Sequence, residues 1–258
     1  MSSMQKFIES CLLSAAKTIE LERKKGLKIK VKGRNDWASS ADMASEKQVV
    51  ARIRKAYPDS IVLSEESYLG SDLLADSLFV LDPIDGTHNF IAGIPLYGVS
   101  LAHYSRGKPT AGGMYLAPQK QMLYAEKGKP STMNGKKICA SSTAKLEDFF
   151  LLCDSRLHVI EKQGMLRGVL RLEGMSQHTR FLGVAVHNMG YVAMGAVDAA
   201  MEFKLKPYDF AAGAYVAERA GATVTDLEGK RWTLETKRFL SSNGKQHNRI
   251  LDILNGRE

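Results

Sequence analysis

The sequence predicts an alternating α/β fold, and three observations carry that expectation. Two short all-apolar runs, Ile61-Val62-Leu63 and Leu78-Phe79-Val80-Leu81, have the length and composition of buried strands; the first runs into Ser64-Glu65-Glu66 and the second into Asp82. Residues 96–104, 110–117 and 121–126 read as antiparallel strands separated by Gly, Pro and Lys turns. Segments with apolar residues at helical spacing flank this sheet-rich middle. The chain has 258 residues, 44% of them hydrophobic and 25% charged. At roughly 150 residues per domain this makes one large or two small domains with enough apolar material for a substantial core. Disordered, collagenous and disulfide-rich classes are excluded on composition.

Residues 4–25 place Phe7, Ile8, Cys11, Leu12, Ala15 and Ile19 on one helical face, and Gly26 supplies a stop. Leu27 to Lys32 alternates strictly between apolar and basic, which predicts a strand with one greasy and one basic face. Ser40 or Asp42 opens a second helix carrying Val49, Ile53 and Ala56, and Tyr57-Pro58-Asp59-Ser60 closes it. After the strands at 61–63 and 78–81 and the antiparallel block, Asn134-Gly135 is a tight-turn signal. Residues 140–180 are mixed and give no clean periodicity. Gly183 to Met194 predicts a small-residue helix closed by Gly195, Val197 to Phe203 a strand, and Asp209 to Ala220 a helix with Asp209 as N-cap and Gly221 beyond its end. A strand or two and a final helix, Asn248 to Leu254, complete the chain. A boundary falls near residue 140, giving expected lobes of 1–140, with the large antiparallel sheet, and 141–258, alternating α/β.

Cys11, Cys139 and Cys153 are scattered without a CxxC pair, which reads as buried free thiols in a reducing compartment. The most apolar stretch, Gly183 to Phe203, contains His187, Asn188, Asp198 and Glu202 and fails as a membrane span. A soluble, cytoplasmic protein is expected. Lys and Arg number 36 against 28 Asp and Glu, a net charge of +8 that favours anionic partners without choosing among phosphorylated metabolites, nucleic acid and membrane surface.

The most informative stretch is Leu78 to Phe90, in which four apolar residues lead to Asp82 and Asp85 across Pro83. Two ionised carboxylates this close repel, and a divalent cation resolves the repulsion, with hard oxygen donors suiting Mg²⁺ or Mn²⁺. A helix starting after Gly86 would turn the N–H groups of Gly86, Thr87 and His88 toward an anion. The same Asp-Pro-x-Asp-Gly pattern also makes a good surface turn. Glu65-Glu66 at the end of an apolar strand and Asp209 at a helix start add further acids, although a bare N-cap would account for Asp209.

Ser64-Glu65-Glu66, Asp82 to Phe90 and Pro207-Tyr208-Asp209-Phe210-Ala211-Ala212-Gly213 together resemble, in order and spacing, the inositol monophosphatase family of Mg²⁺-dependent, lithium-sensitive sugar phosphatases. Ser39-Ser40-Ala41-Asp42, Asn134 to Ile138 and Gly183 to Asp209 extend the likeness over nearly the whole chain. The resemblance implies a layered αβαβα sugar-phosphatase fold in two lobes, with the second lobe contributing Asp209 and the substrate pocket. It implies hydrolysis of small polyol phosphate monoesters, myo-inositol 1-phosphate foremost, by a homodimer. By position, Glu65, Asp82 and the Ile84 carbonyl match the ligands of one metal, and Asp82, Asp85 and Asp209 those of a second. A weaker third leans on Glu65, giving two or three Mg²⁺ per site. Thr87 and Asp42 match the residues that activate and orient the attacking water. Asp85, Gly86, Thr87, Gly183, Val184, Ala185 and Glu202 match substrate contacts, Glu202 to the inositol hydroxyls, and Glu66 stands behind the metal ligands.

The barrier to phosphate monoester hydrolysis asks for a reduction of order 20 kcal/mol, which paired cations can in large part supply without a covalent nucleophile. Departures from the family pattern are Tyr208 where tryptophan is usual, Ala38-Ser39 where Val-Thr is usual, and Val184 where a hydroxyl is usual. His88-Asn89 argues against relatives acting on 3′-phosphoadenosine 5′-phosphate, which commonly carry Lys-Glu there. Fructose 1,6-bisphosphate and histidinol phosphate remain as alternative substrates. Seven basic residues and no acid between 23 and 34 read as a solvated strand face, as a funnel for phosphorylated substrate, or as a contact for RNA or a transcription complex; a basic accessory protein is the rival function.

Overall fold

The computed structural model describes residues 1–33, 36–65 and 72–258. In chain order the elements are α1 (Ser3–Lys25), β1 (Ile29–Gly33), β2 (Asp36–Ser39), α2 (Ser40–Ala56), β3 (Ile61–Ser64), β4 (Leu78–Asp85), α3 (Thr87–Ala92), β5 (Gly98–Ser105), β6 (Lys108–Leu116), β7 (Gln121–Glu126), β8 (Thr132–Met133) and β9 (Lys136–Lys137). They continue with β10 (Phe150–Asp154), α4 (Leu157–Lys162), α5 (Leu166–Met175), β11 (His178–Arg180), α6 (Ala185–Ala193), β12 (Ala199–Glu202), α7 (Pro207–Arg219), β13 (Thr223–Thr225), β14 (Phe239–Ser242) and α8 (His247–Leu254).

Strands β3 to β9 form a seven-stranded sheet in sequence order, parallel only between β3 and β4. A second sheet of five strands has the order β11-β10-β12-β14-β13. Alternation along the strands sorts side chains into layers. On the large sheet, Phe79, Leu81, Val99 and Leu101 pack with Ile8, Leu12 and Ile19 of α1 and Val49 and Ile53 of α2. Leu78, Val80, Ala102 and Tyr104 face the other way, against Val186 and Met189 of α6 and Phe210, Ala211 and Ala214 of α7. Leu152 and Ala200 of the small sheet close that same core, while Leu151, Cys153, Ala199 and Met201 point outward onto α4, α5 and α8. The result is helix pair, sheet, helix pair, sheet, helices: the layered αβαβα arrangement.

Two adjacent glycines in β6 let the helices press on both faces of the large sheet. A Cβ on Gly112 would stand 3.3 Å from the Ala212 Cα of α7, and one on Gly113 would stand 2.8 Å from Ile8 Cγ2 of α1.

The structure departs from the sequence reading in several places. The 78–81 strand does not turn at Pro83; β4 runs on to Asp85, with a register shift against β5 between Asp82 and Asp85. Helix α7 begins two residues early, with Pro207 at its first position, so Asp209 is not the N-cap but sits in the first turn and accepts from the Lys206 backbone N–H at 2.6 Å. Gly183 lies outside α6 with φ +73°. The apolar face of β1 is not buried: β1 pairs only with β2, and Ile29 and Val31 remain exposed. Cys11 and Cys153 are buried free thiols, but Cys139 is exposed. Among the described residues, no helix is long and apolar enough to cross a membrane.

Candidate active site

Four segments distant in sequence meet where β4 ends. In the β4/β5 ladder Asp82 lies opposite Ser100. The Ser100 hydroxyl donates to the Tyr208 carbonyl at 3.3 Å, which seats the start of α7, and with it Asp209, beside the strand end. From the other side, the Ser45 hydroxyl of α2 donates to the Pro83 carbonyl at 3.2 Å. That contact brings in the first turn of α2, where Asp42 closes a capping box by accepting from the Ser39 N–H and hydroxyl at 2.7 and 2.6 Å. The Val186 N–H of α6 donates to Asp85 Oδ2 at 2.6 Å. The Asn89 amide ties α3 to the Leu96 and Leu182 carbonyls, at 3.0 and 2.9 Å, and so holds the approach to Gly183.

The chain can turn from β4 into α3 because Gly86 adopts φ +83°; a Cβ there would meet the Leu96 carbonyl oxygen at 2.9 Å and Val184 Cγ2 at 3.0 Å. Immediately beyond, the Thr87 hydroxyl has two acceptors for its one proton, Asp42 Oδ1 at 3.0 Å and the Ile84 carbonyl at 2.9 Å. A cleft of about 470 Å³ is lined by Glu65, Asp82, Ile84, Asp85, Gly86, Thr87, Gly183 and Asp209. The exposed side chains of His88, Arg156, Lys204 and Lys206 also border it, as does Trp37, whose ring stacks on His88 at 5.2 Å. A cavity of similar size, about 490 Å³, lies between α5 and the chain's end, but its charged lining is mainly arginine and it gathers no acidic cluster.

The electrostatics of the cleft are severe. Burial pushes the Asp82 carboxyl well above the usual carboxylate range, and Glu65, Asp85, Asp209 and Asp42 push it further. Asp85 is raised by burial and by Asp209, against the opposing Val186 N–H. Asp209 is raised to about 7 by burial, against the Lys206 N–H and ammonium. Among the described residues, Asp82 Oδ1 is buried with no hydrogen-bond partner. Among the described residues no three His, Cys, Asp or Glu side chains already close on one point as a finished metal cage. One oxygen each of Asp85 and Asp209 is committed to a backbone N–H instead. The donor set nevertheless fits a hard divalent cation. It is all oxygen, it is mutually repulsive, and it contains a buried carboxylate oxygen that accepts from none of the described residues.

The sequence profile of the inositol monophosphatase family matches residues 1–257. The chain belongs to the inositol monophosphatase family. Its members are metal-dependent phosphatases, and this protein is a phosphoric monoester hydrolase. The fructose-1,6-bisphosphatase/inositol-1-monophosphatase of Thermotoga maritima is 32% identical over 91% of this chain and 86% of its own length. The Nus factor SuhB of Pseudomonas aeruginosa is 32% identical over 97% of this chain and 96% of its own. A dual-specific IMPase/NADP phosphatase solved with D-inositol-1-phosphate superposes with a TM-score of 0.87 at 27% identity, covering 98% of this chain and 95% of that one.

Of the residues singled out from sequence, Asp42, Glu65, Asp82, Ile84, Asp85, Gly86, Thr87, Gly183 and Asp209 gather at this cleft. Val184, Ala185 and Glu202 line an adjoining recess shared with Asp85, Gly183 and Asp209. Glu66 lies outside the described residues. Trp37, Arg156, Lys204 and Lys206 at the cleft and Asp154 at the recess are lining residues that the sequence motifs do not mark. Asp154 carried a readable signal, since Phe150-Leu151-Leu152-Cys153-Asp154 repeats the apolar-run-into-acid pattern of Leu78 to Asp82. The surrounding 140–180 segment lacks the clean periodicity that would mark it as a strand.

Proposed function

We propose that the protein hydrolyses small polyol phosphate monoesters, with myo-inositol 1-phosphate as the leading substrate and Mg²⁺ as the cation. The observation that carries this reading is the buried Asp82 carboxylate oxygen, without a hydrogen-bond partner among the described residues, inside a ring of acids contributed by the residue after β3, by β4 and by α7. Glu65, Asp82 and the Ile84 carbonyl would hold one cation, and Asp82, Asp85 and Asp209 a second. Bound there, a divalent cation supplies charge compensation and Lewis-acid polarisation for the phosphoryl group.

The protein's own groups do the rest. Asp42, fixed through one oxygen by Ser39, presents the other to the Thr87 hydroxyl. With its proton directed at Asp42, the Thr87 oxygen has lone pairs to accept from an attacking water and orient it. The left-handed turn at Gly86 brings backbone close to the place the phosphate would take, and Lys204 and Lys206 add positive charge at the mouth. In-line attack by that water on phosphorus breaks the P–O ester bond, and the leaving alkoxide takes a proton from solvent.

Glu202, buried in the recess beside the cleft, favours a hydroxylated substrate. The deciding measurement is phosphate release from myo-inositol 1-phosphate, fructose 1,6-bisphosphate and histidinol phosphate, with and without Mg²⁺. Mg²⁺-dependent preference for the inositol ester is expected; preference for either of the others overturns the substrate assignment. A second reading, an accessory role in an RNA or transcription assembly, draws on the likeness to a protein named a Nus factor and on the basic run from Arg23. RNA binding that survives Asp82→Asn, together with negligible hydrolysis, would favour it.

A further inference from the structure

The recess beside the cleft, about 210 Å³, holds a feature that phosphate chemistry does not require. Strands β10 and β12 run parallel with Asp154 in register with Glu202, so the two carboxylates stand side by side at the ends of neighbouring strands. Both line the recess, together with Ser155, Leu205 and Gly183 to Ala185. Asn188 of α6 lies between them and donates from its one amide nitrogen to both, at 2.8 Å to Glu202 Oε1 and 3.3 Å to Asp154 Oδ2. Those two bonds tie both carboxylates to α6 and still leave acceptor capacity over. Glu202 is fully buried, and its Oε2 has no hydrogen-bond partner among the described residues. A buried carboxylate oxygen left unpaired is costly unless something arrives to pair it.

We propose that Asp154 is a specificity-determining residue, which with Glu202 forms a two-carboxylate acceptor for adjacent hydroxyl groups on the alcohol half of the substrate, and that Asn188 positions the pair. This deepens the polyol reading of the site and rests on it. Neighbouring hydroxyls on a ring present two donors a few ångströms apart, which side-by-side carboxylates on hydrogen-bonded strands can accept together. Val184, apolar where it lines the same recess, offers no hydroxyl, so recognition of the alcohol falls to these acids. A site built to accept from hydroxyls discriminates strongly against an ester that lacks them, because its buried acceptors then go unpaired.

The test is the ratio of kcat/KM for myo-inositol 1-phosphate to that for p-nitrophenyl phosphate, whose alcohol half carries no hydroxyl, in the wild type and in Asp154→Asn, both with Mg²⁺. The ratio is expected to fall about tenfold or more in the variant, the scale of one hydrogen bond to a charged acceptor. The Mg²⁺ concentration for half-activation should stay within about twofold. A ratio that does not move overturns the proposal, as does a large shift in Mg²⁺ requirement, which would make Asp154 a servant of the cations. If Asp154→Asn does not fold, Asp154→Ala removes the acceptor and leaves Asn188 its bond to Glu202, and the same ratio is read. The two levels of the argument fail separately. A wild-type ratio that does not favour the inositol ester sinks the polyol reading itself, whereas a high wild-type ratio untouched by the variant sinks only Asp154.

Discussion

The acidic cleft and the pocket around His247 are both made of polar side chains taken out of water, and they are finished in opposite ways. His247, at the start of α8, is 4% exposed and has a partner for each ring nitrogen: the Ser242 hydroxyl at Nδ1, 2.8 Å, and the Thr225 hydroxyl at Nε2, 2.9 Å. In the cleft and its recess, Asp82 Oδ1 and Glu202 Oε2 have none among the described residues, and like charges surround them. A satisfied buried group contributes to folding; an unsatisfied, mutually repelling set costs stability until a ligand completes it. An unpartnered buried atom is not by itself the mark of a site, since Tyr124, Gln163 and Ser241 also hold one; the cleft and recess differ in that theirs are carboxylates crowded by like charges.

The sharpest way to break that comparison is Asp82→Asn, which keeps the shape and removes one charge. Steady-state phosphate release with Mg²⁺ is expected to fall by about 10³-fold or more. Thermal unfolding without added metal should move the other way, to a higher Tm, because Glu65, Asp85 and Asp209 lose a like-charged neighbour. A variant that loses stability yet keeps its turnover would show that Asp82 serves the fold.

Thr87→Ala asks what the hydroxyl between Asp42 and Ile84 contributes. A fall in kcat of about 10²-fold at saturating Mg²⁺ is expected, the low end for a positioned proton-transfer group, with Thr87→Ser retaining most of the wild-type rate. Because Thr87 also donates to the Ile84 carbonyl, Mg²⁺ half-activation should be followed in parallel. A variant whose whole defect is a raised Mg²⁺ requirement would assign the hydroxyl to propping that carbonyl instead of handling water.

Much of this architecture was legible in advance for reasons that are local. Ile61 to Leu63 and Leu78 to Leu81 announce buried strands because both of their faces must be apolar, and Ile8, Cys11, Leu12, Ala15 and Ile19 announce the buried stripe of α1. The motifs at 64–66, 82–90 and 207–213 announce the acids. What the sequence hides is set by tertiary pairing. Whether Ile29 and Val31 are covered depends on which strands flank β1, and the answer, β2 alone, leaves them exposed. The continuation of β4 through Pro83 depends on β5 accepting a register shift. Asp209 read as an N-cap because Pro207, a good first-turn residue, was passed over. Asp154 gains meaning only once β10 lies beside β12, which pairs it with Glu202 from far along the chain.

The smallest expected effect tests the other half of the comparison, the satisfied pocket. Burial lowers the His247 pKa to about 4, so the folded protein holds it neutral. An unfolded chain would take up its proton near pH 6.5. Between these values the unfolded state binds more protons, so this histidine's contribution is fully present above about pH 6.5 and drains away as pH falls toward 4. Moving from pH 7.5 to 5 should cost the wild type about 2 kcal/mol more than His247→Gln, which cannot titrate. Buried His187, lowered by the same cause to about 4, and the raised cleft carboxylates, which act in the opposite sense, are common to both proteins and cancel in the difference. Urea unfolding of the pair at the two pH values reads it directly. At pH 7.5 the variant should be the less stable, having lost well-formed bonds to Ser242 and Thr225, while its Mg²⁺-dependent turnover stays at the wild-type level. A stability gap that fails to narrow on acidification would mean that His247 is not held neutral by burial, and the contrast between a finished polar pocket and an unfinished one would lose its first member.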